Sequence, residues 1–238
     1  MKTPSDTAKA RSRLCQLLAL GFTHPVEAFH RVLVDGSYSQ ALLAASAGAR
    51  CSGQFAHQEM RGFTDFEADY IYLFQLGRGG KPVVPLNAGD HDEIAQGQGR
   101  PGFLLEYSGW YRHFGLKINA DDNANELPDH LACQLEFMAW LAHLEESAGG
   151  APELQQGYRR AQRDFLQRHM QPFLEVLTSE LQHKSRQPRI NPFYLALAAY
   201  ALEVNDSVLA QLDTVLAASD QTVATGDPEQ IAAVNLWG

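Results

Sequence analysis

Residues 126–147 read ELPDHLACQLEFMAWLAHLEES, and their spacing decides the fold. Leu127, Leu131, Leu135, Met138 and Leu141 recur at three- and four-residue steps on one stripe, while Asp129, Glu136 and His143 fall on another. That period belongs to an amphipathic helix with one face turned to a core. Pro128 suits a first helical turn, where the N–H it lacks would have no partner. Glu126 and Asp129 read there as acids that complement the helix dipole and cap free N–H groups. The spacing predicts a helix over about 127–147.

Outward from this segment the helical period continues. Downstream of Gly149-Gly150, helices are expected near 152–170, 172–184, 192–203 and 206–218, punctuated by Pro172, Pro188 and Pro192. In the weakly patterned tail after Thr222, Ile231, Val234, Leu236 and Trp237 suit a final docked turn. Upstream, an Asp/Asn-rich turn at 119–125 follows a helix over 102–114 that Gly115 ends. Residues 77–101 carry glycine and proline throughout and read as a long loop of the kind that often carries function. Before it, Phe55, Phe63, Phe66, Tyr70, Leu73 and Phe74 predict a helix over 54–76. Three more are expected at 6–20, stopped by Gly21, from Pro25 to Asp35-Gly36, and at 38–47. No alternating strand and no fixed repeat appears. The chain reads as an all-α bundle of about nine or ten helices. One domain over 1–238 is expected, in which helices 1–76 and 102–238 share one core across the loop.

The 238 residues carry 19 Lys and Arg against 28 Asp and Glu, a net charge of −9 that repels a phosphate backbone. The balance suits a cationic partner or simple solubility. A chain of this length buries enough surface to fold without disulfides or metal. Cys15, Cys51 and Cys133 are odd in number and lack metal spacing, as in a reducing compartment. Lys2, Lys9, Arg11 and Arg13 precede the apolar run Leu14–Phe22, but Gln16 interrupts it and no small-x-small site follows, so no secretory leader is read. No run approaches the roughly 20 apolar residues that span a bilayer. A cytoplasmic protein with no membrane insertion is expected.

Two glycine motifs fail on context. Gly97-Gln98-Gly99-Arg100-Pro101-Gly102 matches a dinucleotide fingerprint literally but has no strand before it. Gly77-Arg78-Gly79-Gly80-Lys81 lacks the first glycine of a phosphate loop, and Pro82 replaces the magnesium-holding hydroxyl. Glu126, Asp129 and His130 share part of a helix surface and are the one acid/histidine cluster with ligand spacing. They support an alternative reading, a helical metal-dependent hydrolase. His130 reads equally as a structural or a ligand-contacting histidine, and Glu145-Glu146 as a solvated helix end. No nucleophile signature is present.

Two stretches together carry more than any single motif. The first is FEADYIYLF at 66–74 with GRGGKPVVPL at 77–86; the second is ELPDHLACQLEFM at 126–138. They resemble the TorD/DmsD/NarJ family, cytoplasmic all-helical chaperones for molybdenum enzymes of the dimethyl sulfoxide reductase superfamily. The wording around the Gly-Lys-Pro loop is most similar to members serving the type II enzymes.

The resemblance implies a non-catalytic protein without a cofactor of its own. Such a protein holds the apo catalytic subunit, and with it a twin-arginine leader, until molybdopterin is inserted. It places Tyr70, Leu73 and Phe74 on one side of a peptide groove and Pro128, Asp129 and His130 on the other. An Asp129 carboxylate would accept a guanidinium fork, and Leu73 and Phe74 would bury apolar side chains. Phe74 reads as core or groove, and Asp129 as cap, acceptor or both. Arg78 and Lys81 fit an acidic client surface, the cofactor pyrophosphate, or plain solvation. On this reading Asp129→Ala or His130→Ala weakens client binding and leaves the melting temperature nearly unchanged. A generic helical adaptor is the remaining reading, and the oligomeric expectation is a monomer or weak dimer.

Overall fold

A computed structural model describes residues 4–77, 79–95, 97, 99–116, 126–187 and 189–224. The turn at 119–125, Arg78 and the tail residues Ile231, Val234, Leu236 and Trp237 lie outside them. The chain runs α1 (Pro4–Phe22), α2 (Glu27–Val34), α3 (Ser37–Ala49) and α4 (Phe63–Tyr70), the last continuing as a π-helical turn, Ile71–Leu76. A 3₁₀ turn (Ala88–Asp90), α5 (Asp92–Ala95) and α6 (Arg100–His113) follow. Then come α7 (Leu131–Ser147), α8 (Pro152–Phe165) with a second π-helical turn (Leu166–Met170), α9 (Gln171–Lys184) and α10 (Pro192–Ala224). Among the described residues the only extended pairing is a single antiparallel bridge, Asn87 to His130. The all-α expectation holds.

Helix α7 is the axis: α1 and α8 pack against it, and α8, the second π-helical turn and α9 form the neighbouring layer with α10. Four of the five expected stripe residues, Leu131, Leu135, Met138 and Leu141, are buried in the core, while Leu127 precedes the helix and is 39% exposed. The buried cluster draws on both sides of the long loop, from Leu14, Phe29 and Phe66 to Phe137, Phe165 and Tyr194. Much of it is aromatic: Phe66 stacks on Tyr194 at 5.5 Å, and Phe137 meets Phe165 edge-on at 4.8 Å.

Several boundaries differ from expectation. Gly21 lies inside α1, where a Cβ would stand 2.5 Å from Leu197 Cδ2 and 2.6 Å from the Tyr38 hydroxyl. It is a close-approach glycine, and the stop falls beyond it. The helix expected over 54–76 begins at Phe63, while Phe55 reaches the same core from irregular chain, 5.4 Å from Tyr200. The expected break at 204–205 is absent: Val204 and Asn205 are buried within α10, and the Asn205 amide donates to Gln171 Oε1. The boundary at Pro172 falls where expected: the second π-helical turn ends at Met170, and the proline lies in the first turn of α9.

Glu145 is likewise no solvated helix end. It is buried, and its carboxylate receives Arg11 Nη1 at 3.0 Å, Arg159 Nε at 2.6 Å and Gln162 Nε2 at 2.9 Å. The pairing ties the first turns of α1 to the end of α7 and to α8. All three cysteines are free thiols. Burial pushes the Cys15 and Cys133 thiols up to about 12, and raises Cys51 as well.

Candidate functional site

The start of α7 differs most from its sequence reading. The helix begins at Leu131, and His130 is its N-cap: extended, with Nδ1 accepting the Ala132 N–H at 3.2 Å. That bond fixes the tautomer, leaving the hydrogen on Nε2, which faces Glu126 Oε2 at 3.3 Å. Burial lowers the His130 pKa to about 4, against the pull of the Asp129 carboxylate, so the ring is neutral at physiological pH. Glu126 and Asp129 therefore do not lie in a helical first turn. Pro128 stands before the helix, half-buried, and its carbonyl accepts the Tyr111 hydroxyl at 2.6 Å.

Asp129 is fully buried and faces inward. Its Oδ1 accepts Asn87 Nδ2 at 3.0 Å and its Oδ2 accepts the Gly89 N–H at 2.8 Å. Its own carbonyl receives Ala88 N–H and Gln134 Nε2, and Leu131 N–H donates to the Leu86 carbonyl. One aspartate thus straps residues 86–89 of the long loop to the head of α7. Gly89 is required for closeness: a Cβ there would lie 3.0 Å from Asp129 Oδ2 and 3.0 Å from the Phe103 ring. The carboxylate expected to meet a guanidinium is instead satisfied internally.

Tyr70, Leu73 and Phe74 are core residues on the opposite wall. The Tyr70 hydroxyl donates to the Phe22 carbonyl at 3.1 Å, and Phe74 sits edge-on to Tyr194 at 5.0 Å. The Leu73 carbonyl accepts both the Val83 and Val84 N–H at 2.9 Å, closing the base of the Gly-Pro loop, with Lys81 exposed near its tip. The loop is built on the π-helical turn, an element that recurs at functional sites.

A side chain absent from the sequence reading packs against the first motif. His24 follows the end of α1, with Nε2 3.1 Å from Glu67 Oε1, Nδ1 3.4 Å from Gln75 Nε2, and its ring edge-on to Tyr70 at 5.3 Å. It also holds down the Glu126 pKa, which burial raises, while the Glu126 charge adds to the burial that raises Tyr70. Glu67 and Glu126 both reach solvent, with 34% and 42% of their side chains exposed. Leu76, at the end of the π-helical turn, is 62% exposed, and Leu127, next to Glu126, is 39% exposed. Each motif thus presents a carboxylate and an uncovered leucine to solvent, the complement of a segment that mixes cations with apolar side chains. Tyr70, Leu73, Phe74, Asp129 and His130 are themselves buried. Only the His24-Pro25 break in the apolar pattern marked His24 out.

The hydrolase alternative finds no support in this geometry. Asp129 turns into the strap, His130 Nδ1 is committed to the helix cap, and Glu126 faces only Nε2. Among the described residues no three His, Cys, Asp or Glu side chains group to hold a metal ion, and no described helix is long and apolar enough to cross a membrane.

Residues 35–179 match the family described as nitrate reductase delta subunit. The chain is 39% identical to the dimethyl sulfide dehydrogenase assembly chaperone protein of Rhodovulum sulfidophilum, over 98% of this chain and 96% of that one. It is 34% identical to the perchlorate reductase assembly chaperone protein of Dechloromonas aromatica (strain RCB), over 87% and 92%. It is 35% identical to the selenate reductase assembly chaperone protein of Thauera selenatis, over 55% and 68%. No solved structure matches.

Proposed function

The chain belongs to the nitrate reductase delta subunit family, and from that premise we propose that it is an assembly chaperone for the catalytic subunit of a molybdenum oxidoreductase. It acts by binding and not by catalysis, in the cytoplasm, holding the apo subunit until its molybdopterin cofactor is inserted. One observation carries this reading: similarity to assembly chaperones of such enzymes runs along nearly the whole chain.

The site is the surface above the two motifs, and its ligand is the client's twin-arginine leader. Tyr70, Leu73, Phe74, Asp129 and His130 shape the surface from beneath. Glu67 and Glu126 take the guanidinium groups, and Leu76, Leu127 and Pro128 meet the apolar part. Two features support this division: Asp129 has both carboxylate oxygens engaged inside the protein, and the −9 charge of the chain favours approach of a basic peptide. Exposed Lys81, with Arg78, belongs to a separate contact with the mature subunit or the cofactor phosphates.

Calorimetric titration of the chain with a twin-arginine leader, its Lys-Lys variant and a scrambled peptide tests the site. The leader is expected to bind tightest, and Glu67→Gln with Glu126→Gln to lower its affinity at least tenfold at low salt. Equal binding of leader and scrambled peptide would remove the leader from the proposal. Failure of the apo catalytic subunit itself to co-purify would remove the chaperone reading.

A further inference from the structure

A cleft of about 550 Å³ opens between α6 and the end of α8 with its π-helical turn. Glu106, Gly109, Trp110 and His113 line it from α6, and Asp164 and Arg168 from the other side. None of them belongs to the two motifs. The volume suits a ligand of amino-acid size or larger.

Three features of the cleft bear on what it takes. The first is Gly109. It lies inside α6, yet a Cβ there would meet no atom of the described residues within 4 Å. Glycine is a poor helix former, and no crowding requires one here. What the missing side chain does is keep the cleft open. The second is Glu106, whose side chain is 30% exposed and whose Oε1 receives Arg168 Nη2 at 3.2 Å. Arg168 is itself 64% exposed, and an ion pair of that kind contributes little to stability. A guanidinium thus already rests on Glu106 within the cleft, held loosely enough to be exchanged. The third is His169, which is 6% exposed and packs on the rings of Tyr107 at 4.8 Å and Phe165 at 5.0 Å. Its Nε2 faces Glu106 Oε1 at 3.6 Å and has no hydrogen-bond partner among the described residues. Burial lowers the pKa of this ring to about 4, so it is neutral at physiological pH and does not compete for the carboxylate as a cation.

We propose that this cleft binds an organic cation rich in N–H groups, a guanidinium or a primary ammonium, by exchange for Arg168. Glu106, with neutral His169 behind it, accepts the N–H groups of the cation. Asp164 supplies a second carboxylate, which Arg163 grips through Oδ1 alone among the described residues. Trp110 adds an aromatic wall of the kind that cations favour. Two sources offer this chemistry: a free small cation, and an arginine or lysine side chain presented by another protein. The inference goes beyond the chaperone reading, and its failure would leave that reading untouched.

The test titrates the isotope-labelled full chain with agmatine and with the tripeptide acetyl-Gly-Arg-Gly-amide, following the Gly109 amide and the Trp110 indole N–H. Saturable shifts at both positions are expected. The same tripeptide with citrulline, which keeps the shape of the side chain without its charge, is expected to bind about tenfold or more weakly. Glu106→Gln should weaken binding of the cation about tenfold, the loss of one charge-assisted bond. Gly109→Leu, whose side chain has open space, should abolish binding and leave the helical content unchanged; should that variant not fold, Glu106→Gln on its partly exposed side chain keeps the test available. Arg168→Gln should tighten binding about threefold or more, whereas Arg13→Gln, which removes the same charge from exposed surface of α1, should leave it nearly unchanged. A tripeptide that binds tighter than agmatine assigns the cleft to a side chain of another protein, and the reverse order assigns it to a free small cation. No saturable shift with either probe, equal binding of the citrulline form, native-like binding by folded Gly109→Leu or by Glu106→Gln, or an Arg168→Gln chain that binds no tighter than the native one would each overturn the proposal.

Discussion

The Gly89 N–H donates to Asp129 Oδ2 across 2.8 Å, and the contact is so close that a methyl group on residue 89 would stand 3.0 Å from the same oxygen. The aspartate and the glycine, 40 positions apart, set the path of the long loop together.

Asp129→Ala is accordingly expected to cost stability, contrary to the sequence expectation of an unchanged melting temperature. It removes bonds from Asn87 and Gly89 to a buried charge and leaves the Gly89 N–H without an acceptor. The loss is about 3 kcal/mol, read by urea unfolding. Gly89→Ala, which crowds Asp129 and Phe103, is expected to cost about 1–3 kcal/mol. An Asp129→Ala chain as stable as the native one would mean that the strap contributes nothing.

The neutral His130 cap makes the head of α7 acid-sensitive. Its pKa is lowered to about 4 in the folded chain and lies near 6.5 when unfolded. The unfolded state therefore binds more protons between those values, and stability falls as pH drops from about 6.5 towards 4. Buried His169, also lowered to about 4, acts in the same direction. His130→Asn, which retains a capping oxygen without the titration, is expected to flatten part of the acid limb in thermal melts across that window. An acid limb identical to that of the native chain would remove His130 from the account.

Glu145 is held by two arginines and a glutamine away from water. Glu145→Leu strands the Arg11 guanidinium in the core and is expected to cost about 3–5 kcal/mol. Adding Arg11→Met should recover part of that loss, because the pair is then replaced by apolar groups. Chemical denaturation of the native, single and double variants reads both effects. A double variant worse than the sum of its singles would contradict the coupling.

Gly21→Ala separates two roles of a helical glycine. Were residue 21 only a weak helix position, alanine would add about 1 kcal/mol of helix propensity. Because the added methyl would meet Leu197 and the Tyr38 hydroxyl, a net loss of about 1–3 kcal/mol is expected in thermal unfolding. A gain would show that α10 gives way easily at Leu197.

The sequence announced the fold through its period. Leu131, Leu135, Met138 and Leu141 recur as a helix face requires, and all four are buried. Cap geometry was less legible, because Glu126, Pro128 and Asp129 have the composition of a first turn and only the backbone reveals that the turn starts at Leu131. The role of Asp129 depends on Asn87 and Gly89, whose proximity no local pattern records. Glu145 resembled a solvated acid for the same reason, since its partners Arg11 and Arg159 come from other helices. At the candidate site, the motif residues were recognisable as a group because they are buried and follow the helical pattern of the core. The solvent-facing His24 and Glu67 were not, because a polar side chain at the surface leaves no periodic trace.

The three cysteines, Cys15 buried and Cys51 and Cys133 half-buried, have a practical consequence. With Cys15 and Cys133 pushed up to about 12 and Cys51 also raised, the native chain offers little thiolate to an alkylating dye at neutral pH. A cysteine introduced at exposed position 81, on a loop whose base is closed by the Leu73 carbonyl, would accept a fluorophore selectively. The chain is thus suited to single-site labelling with its own cysteines in place, and a dye on the Gly-Pro loop would show whether a client reaches it.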